Sequence, residues 1–216
     1  DLVNLSKVKF ENNYARALCF QLFENNGVIK RDSVHQMIKN ISKEDRVNLR
    51  KVGIKIGRYH VFLPRMLKPS AVNLKVKLWK LFFPKDEKYV IPISGLNFLK
   101  DQSIENNKFL LICGFENFNK FHLRVDILER LFVKIIESTK KNMFQVNSDM
   151  INLLGCSKEN FFKLLELMQY KKIKTENNKE EIFAYKPKKI RIKNEKIVKN
   201  SKQNSPFNKL SEIRFR

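Results

Sequence analysis

Apolar positions recur at helical spacing through much of the chain. Tyr14, Ala17, Leu18, Gln21, Leu22 and Asn25 share one face, predicting a helix over Asn13–Asn26, and Asn25-Asn26-Gly27 stops it. Asp32 or Ser33 caps a short helix running to Ile38. Ser42 precedes Glu44 and Asp45, acids that suit the positive end of a helix dipole, so a further helix runs through Lys51 to Gly53. Val72, Lys75, Val76, Trp79 and Phe83 form a stripe on a helix over Pro69–Phe82, with Lys75, Lys77 and Lys80 around it. Pro84–Pro92 reads as a loop and Asn97–Asn107 as a polar stretch. Phe109–Phe115 is a short, wholly apolar run, taken as a buried strand interrupted by Gly114.

The second half is more regular. Ile127, Leu128, Leu131, Phe132, Ile135 and Ile136 make Asp126–Lys140 a strongly periodic helix. Phe144–Val146 suggests a short strand. Asn147 or Ser148 caps a helix over Asp149–Leu154 closed by Gly155, and Ser157 with Asn160 opens another containing Phe161, Phe162, Leu164, Leu165 and Met168. Lys171–Lys174 and Ile182–Tyr185 follow as strands around a polar turn. Helix, strand, short helix, helix and two-stranded wing is the order of a winged-helix-like module, which serves nucleic acids in some proteins and protein partners in others.

Between these parts lies Gly53–Pro69, where two glycines, two prolines, a β-like run and clustered cations coincide. Ile54, Ile56, Tyr59, Val61 and Leu63 predict a short hairpin near 53–64, bent at Gly57–Arg58 and ending at Pro64. Its edge carries Lys55, Arg58, His60, Arg65 and Lys68, with Tyr59 or Phe62 placed for base stacking. A Gly-kinked hairpin with a merely solvated charged edge is the plainer alternative.

Composition changes this picture mainly through charge. Lys and Arg number 44 against 22 Asp and Glu, a formal net charge of +22 over 216 residues. Such a balance favours polyanions, nucleic acid first and an acidic membrane surface second. Lys186, Lys188, Lys189, Arg191, Lys193, Lys196, Lys199 and Lys202 face a single acid, Glu195, predicting a disordered basic tail that attracts phosphates without regard to sequence. Cys19, Cys113 and Cys156 are far apart and form no CxxC pattern, which fits buried thiols in a reducing, cytoplasmic setting and no metal site. No apolar run reaches the roughly 18 residues that a membrane span needs. There is no phosphate-cradling GxxxxGK[ST] loop, no GxSxG and no HExxH. His35, His60 and His122 are scattered, and Asp126 and Glu129 beside Arg124 and Arg130 read as an ion-paired helix start, so no active site is expected.

Several strings nevertheless look specific. They are ARALCFQLFENNGVI (Ala15–Ile29), LRKVGIKIGRYHVFLPRMLKPSA (Leu49–Ala71), ISGL (Ile93–Leu96), CGF (Cys113–Phe115), LRVDILERL (Leu123–Leu131), INLLGCS (Ile151–Ser157) and SPFNKL (Ser205–Leu210). On these the chain resembles the C-terminal region of alphaproteobacterial DExH-box helicases similar to the mitochondrial degradosome RNA helicase. The resemblance implies an accessory body that helps enclose a strand of RNA or DNA. It also implies motor domains N-terminal to this region, which would carry ATP and Mg²⁺; none of their motifs is in this chain.

These readings combine into an α+β, mostly helical chain. A helical body over residues 1–121 carries the hairpin. A winged-helix-like module occupies 122–185, and the basic tail 186–216. The expected nucleic-acid contacts are Lys55, Arg58, Tyr59, Arg65, Lys68, Lys171, Lys172, Lys188, Lys189 and Arg191, with no cofactor in the chain itself. The alternatives are a docking module for a nuclease or ribosome-associated partner, and a winged-helix transcription regulator.

Overall fold

The computed structural model describes residue 5 and residues 10–86, 89–100, 106–173 and 181–186. Helix α1 (Asn13–Glu24) starts where the Asn12 side chain accepts the Tyr14 N–H, and it buries Ala15, Leu18, Cys19 and Leu22. Strand β1 (Val28–Lys30), a 3₁₀ turn (Arg31–Val34), α2 (His35–Asn40) and α3 (Lys43–Lys51) follow. Ser42 caps α3 as expected, accepting the Asp45 N–H at 3.1 Å. The predicted hairpin is β2 (Lys55–Ile56) and β3 (His60–Phe62). The short β1 completes an antiparallel sheet in the order β1-β3-β2, with Val28 opposite Phe62. Val61 and Leu63 join Leu18, Leu22, Ile38, Leu49 and Ile54 in one core.

A 3₁₀ turn (Pro64–Leu67) leads into α4 (Pro69–Phe82), whose bounds are those read from the sequence. Its Val72 and Val76 pack on Phe109, Leu110 and Phe115. Lys75 lies in this buried stripe, 5% exposed. Phe109–Phe115 is not a strand. Asn106 accepts the N–H groups of Lys108 and Phe109 and so caps a helix, α5 (Asn107–Ile112), buried through Phe109, Leu110 and Ile112. A fully buried helix shows the same unbroken apolar run as a buried strand, so periodicity does not separate them. Gly114, at φ 85°, then turns the chain into a sheet built from β4 (Phe98–Lys100), β5 (Phe115–Phe118) and β6 (Phe121–Arg124) in the order β4-β6-β5.

Helix α6 (Val125–Ser138) follows β6 directly and buries Val125, Ile127, Leu128, Leu131 and Ile135. After it come β7 (Met143–Gln145), α7 (Ser148–Leu154), α8 (Lys158–Leu167), β8 (Tyr170–Ile173) and β9 (Ile182–Tyr185). This is the element order anticipated. Asn147 and Ser157 make the expected caps, and Gly155 closes α7 at φ 68°. The three strands form an antiparallel sheet in the order β7-β9-β8. Their core joins Leu128, Leu131, Phe144, Met150, Phe161, Leu164 and Phe183 to Phe121 and Leu123 of β6.

The chain is therefore α+β and mostly helical, with small antiparallel sheets. The described residues, all at or before Lys186, belong to one compact unit. A boundary between residues 121 and 122 falls inside β6, the central strand of its sheet. The basic tail, with Lys188, Lys189 and Arg191, lies outside the described residues.

Candidate functional site

Successive residues of the hairpin serve different neighbours. Tyr59 packs against the core around α6 and its ring meets Phe132 edge-on at 5.7 Å. Val61 and Leu63 enter the core of the helical body, and Phe62 packs with Val28 and Val125. Phe62 is 2% exposed, so the stacking role expected of it falls away. The alternation of β3 turns its ring inward against α6.

His60, expected on the charged edge, is 1% exposed. Its Nε2 lies 2.7 Å from Glu116 Oε2 on β5, and its Nδ1 lies 3.8 Å from Glu129 Oε1 on α6. Burial pulls the imidazole pKa down, but the two carboxylates outweigh it and hold the value above normal. Both glutamates are held below the usual carboxylate range. Burial opposes this and is outweighed, at Glu116 by His60 and Lys30 and at Glu129 by His60 and backbone N–H groups. The trio places a buried imidazole between two carboxylates that favour its protonated form.

Glu129 has a second task. Its carboxylate accepts the backbone N–H groups of Arg58 at 2.6 Å and of Tyr59 and His60 at 2.8 Å each. A Cβ at Gly57 would overlap that carboxylate, which is why the bend needs glycine. The ion-paired helix start is thus half present. Asp126 pairs with Arg124 at 2.7 Å, whereas Glu129 reaches across to the hairpin. Among the described residues no group of three or more His, Cys, Asp or Glu side chains is placed to hold a metal ion.

The hairpin tip forms one wall of a cleft of about 920 Å³. Lys30, Arg31, Asp32 and His35 line it on one side, with Arg58, Tyr59 and His60 at the tip. Glu116 and Phe118 come from β5, and Phe132, Ile135 and Ile136 from α6. Asn142, Phe144, Leu167, Met168, Gln169, Tyr170 and Tyr185 complete it from the last sheet and its turns. Arg58 lies over Phe132, 6.0 Å from the ring centroid. Tyr170 is buried and hydrogen-bonded to Tyr59, while Tyr185, 49% exposed, packs on Tyr170 with centroids 5.4 Å apart. Burial raises the pKa of both Tyr59 and Tyr170, so both hydroxyls keep their protons at neutral pH. Lys30 is paired with Glu116 at 2.6 Å, and Arg31 donates to the Gly57 carbonyl. The result is an aromatic-walled cleft with a cationic rim.

Of the residues expected to contact nucleic acid, Arg58 and Tyr59 line this cleft. Lys55 on β2, Arg65 in the 3₁₀ turn and Lys68 before α4 are exposed but lie outside the lining. Lys171 and Lys172 are exposed on β8; Lys172 sits 3.5 Å from Glu181 and 5.4 Å from the Phe162 ring. Lys30, Arg31, Gln169 and Tyr185 were not anticipated, because their proximity comes from the packing of distant elements.

Comparison with protein-family models, with characterised proteins and with solved structures finds no match. Among the described residues no helix is long and apolar enough to cross a membrane.

Proposed function

We propose that this chain is an accessory nucleic-acid-binding region of an ATP-dependent helicase, holding an unpaired strand of RNA or DNA in the cleft beside the hairpin. The supporting observation is that Arg31 and Arg58, with Lys30 paired to Glu116 beside them, line the same cleft as the Tyr59, Phe132 and Tyr185 rings. Cations track a phosphate backbone, and exposed rings stack bases of any sequence. The stacking role expected of Phe62 passes to Tyr185, with Tyr59 supporting it. The net charge of +22 adds non-specific attraction. The family-like strings supply the helicase setting, in which ATP and Mg²⁺ belong to motor domains outside this chain, in the cytoplasm. The winged-helix-like order of the second half fits the same use.

Fluorescence anisotropy with labelled single-stranded RNA and DNA, across a salt series, tests this. Affinity is expected to fall steeply with salt, and Arg58→Ala and Tyr185→Ala are each expected to weaken binding about tenfold. Binding that ignores salt, or variants that bind like the parent, would sink the proposal.

A second reading, docking of a protein partner such as a nuclease, is favoured by a different surface. On α4, Leu74 is 60% exposed, Leu78 48%, Leu81 77% and Phe82 80%, an apolar face with no cover among the described residues.

A further inference from the structure

Two residues lining the cleft adopt backbone conformations that glycine adopts best. Gln169 sits at φ 71°, directly after the last turn of α8, where its N–H bonds the Glu166 carbonyl at 3.0 Å. That is the position at which helices normally end in glycine. Asn142 sits at φ 63° beside Lys141 at φ 49°, in a two-residue turn closed by paired bonds between Lys140 and Met143. Glycine is the favoured second residue of such a turn. In both places the chain keeps a carboxamide side chain where the backbone alone would favour its loss. Asn26, Asn119 and Lys141 also take positive φ outside the cleft, and asparagine tolerates that region, so of the two lining residues Gln169 is the less usual.

Asn142 and Gln169 line a cleft that also holds the Tyr59, Phe132 and Tyr185 rings, the cations Lys30, Arg31 and Arg58, and the acids Asp32 and Glu116. A carboxamide offers a donor and an acceptor side by side, which is the pattern that matches the N6 and N7 edge of adenine. We infer that the cleft captures one unstacked base of the strand and that Gln169, aided by Asn142, reads it, with adenine preferred. Tyr185 supplies the stacking face, and Arg58 holds the adjoining phosphate without regard to the base. This rests on the nucleic-acid reading above and goes beyond it, since phosphate contacts and stacking carry no base preference.

The test uses short oligouridines that differ at a single variable nucleotide, bound to the full chain and to Gln169→Gly, Asn142→Gly and the double variant. The parent is expected to prefer adenine at that nucleotide by about tenfold. The double variant is expected to bind all four oligonucleotides alike, near the affinity of the parent's weaker ones, with an unchanged salt slope. Gln169→Gly should also melt no lower than the parent, because glycine suits that backbone. Loss of preference together with retained or raised stability separates base reading from a structural role. Equal binding of all four oligonucleotides by the parent, preference for another base, or a preference that survives in the double variant overturns the inference while leaving the nucleic-acid proposal standing. Failure of the parent to bind any of them overturns both.

Discussion

Glu129 occupies the place a bound anion would take, with three backbone N–H groups of the hairpin tip converging on its carboxylate. Replacing it with glutamine removes the charge facing His60 and turns an amide against those donors. Glu129→Gln is expected to cost about 3 kcal/mol, read from urea unfolding. The pH dependence follows from the directions of the shifts. His60 is raised from 6.5, so its contribution is complete below 6.5 and is lost as pH rises through the higher folded value. Glu116 and Glu129 are lowered from 4.5, so theirs is present above 4.5 and is lost as pH falls through the lower folded values. Stability should therefore crest between about 4.5 and 6.5, and His60→Gln should flatten the alkaline side of a series of urea midpoints. Lys75 works the other way. Burial lowers its pKa to about 8, and its Nζ has the Asn26 carbonyl only at 3.4 Å. Lys75→Met should raise stability by about 2 kcal/mol at pH 7, and a loss would show that the amine is better satisfied than its geometry indicates. The sequence carried a trace of the Glu129 contact. A carboxylate four residues after Val125 and three before Phe132 stands on an inward face of the helix, where a solvated acid has no reason to be. Its partners lie 69 to 71 residues away, and nothing local names them.

At the level of elements, legibility tracked length and capping. Helices α3, α4, α7 and α8 announce themselves because Ser42, Pro69, Asn147 and Ser157 sit where caps or a first helical residue belong. Strands of two to four residues do not, since β1, β4 and β5 exist only through pairing with β3 and β6. Propensity over three residues is too weak a signal to find them. The Phe109–Phe115 run failed for a different reason: burial on all sides erased the period that would have named α5. The outer face of α4 poses a separate question of stability. Leu81 and Phe82 contribute little burial, so Leu81→Lys and Phe82→Lys should each change unfolding free energy by less than about 0.5 kcal/mol. A large loss in urea denaturation would mean that the face is covered in the folded protein.

For the molecule as a whole, the hairpin is where separate cores meet. Severing the chain between residues 121 and 122 would split β6 and remove Glu129 from the tip, leaving three N–H groups without their acceptor. A chain of residues 1–121 is expected to lack a cooperative unfolding transition, and a sharp calorimetric peak from it would contradict that view of the joint. The cleft is the feature least visible in advance. Its walls are drawn from residues near 30, 58, 116, 132, 142, 169 and 185, so only the finished packing defines it. The same long reach has a consequence for biosynthesis. The hairpin leaves the ribosome 71 residues before the carboxylate that secures it, an interval of several seconds at roughly 5–20 residues per second. During that interval its tip is a nascent strand edge with unsatisfied donors. Codon choices that slow translation between Arg58 and Glu129 should therefore lower the yield of correctly folded protein more than equal slowing after Glu129.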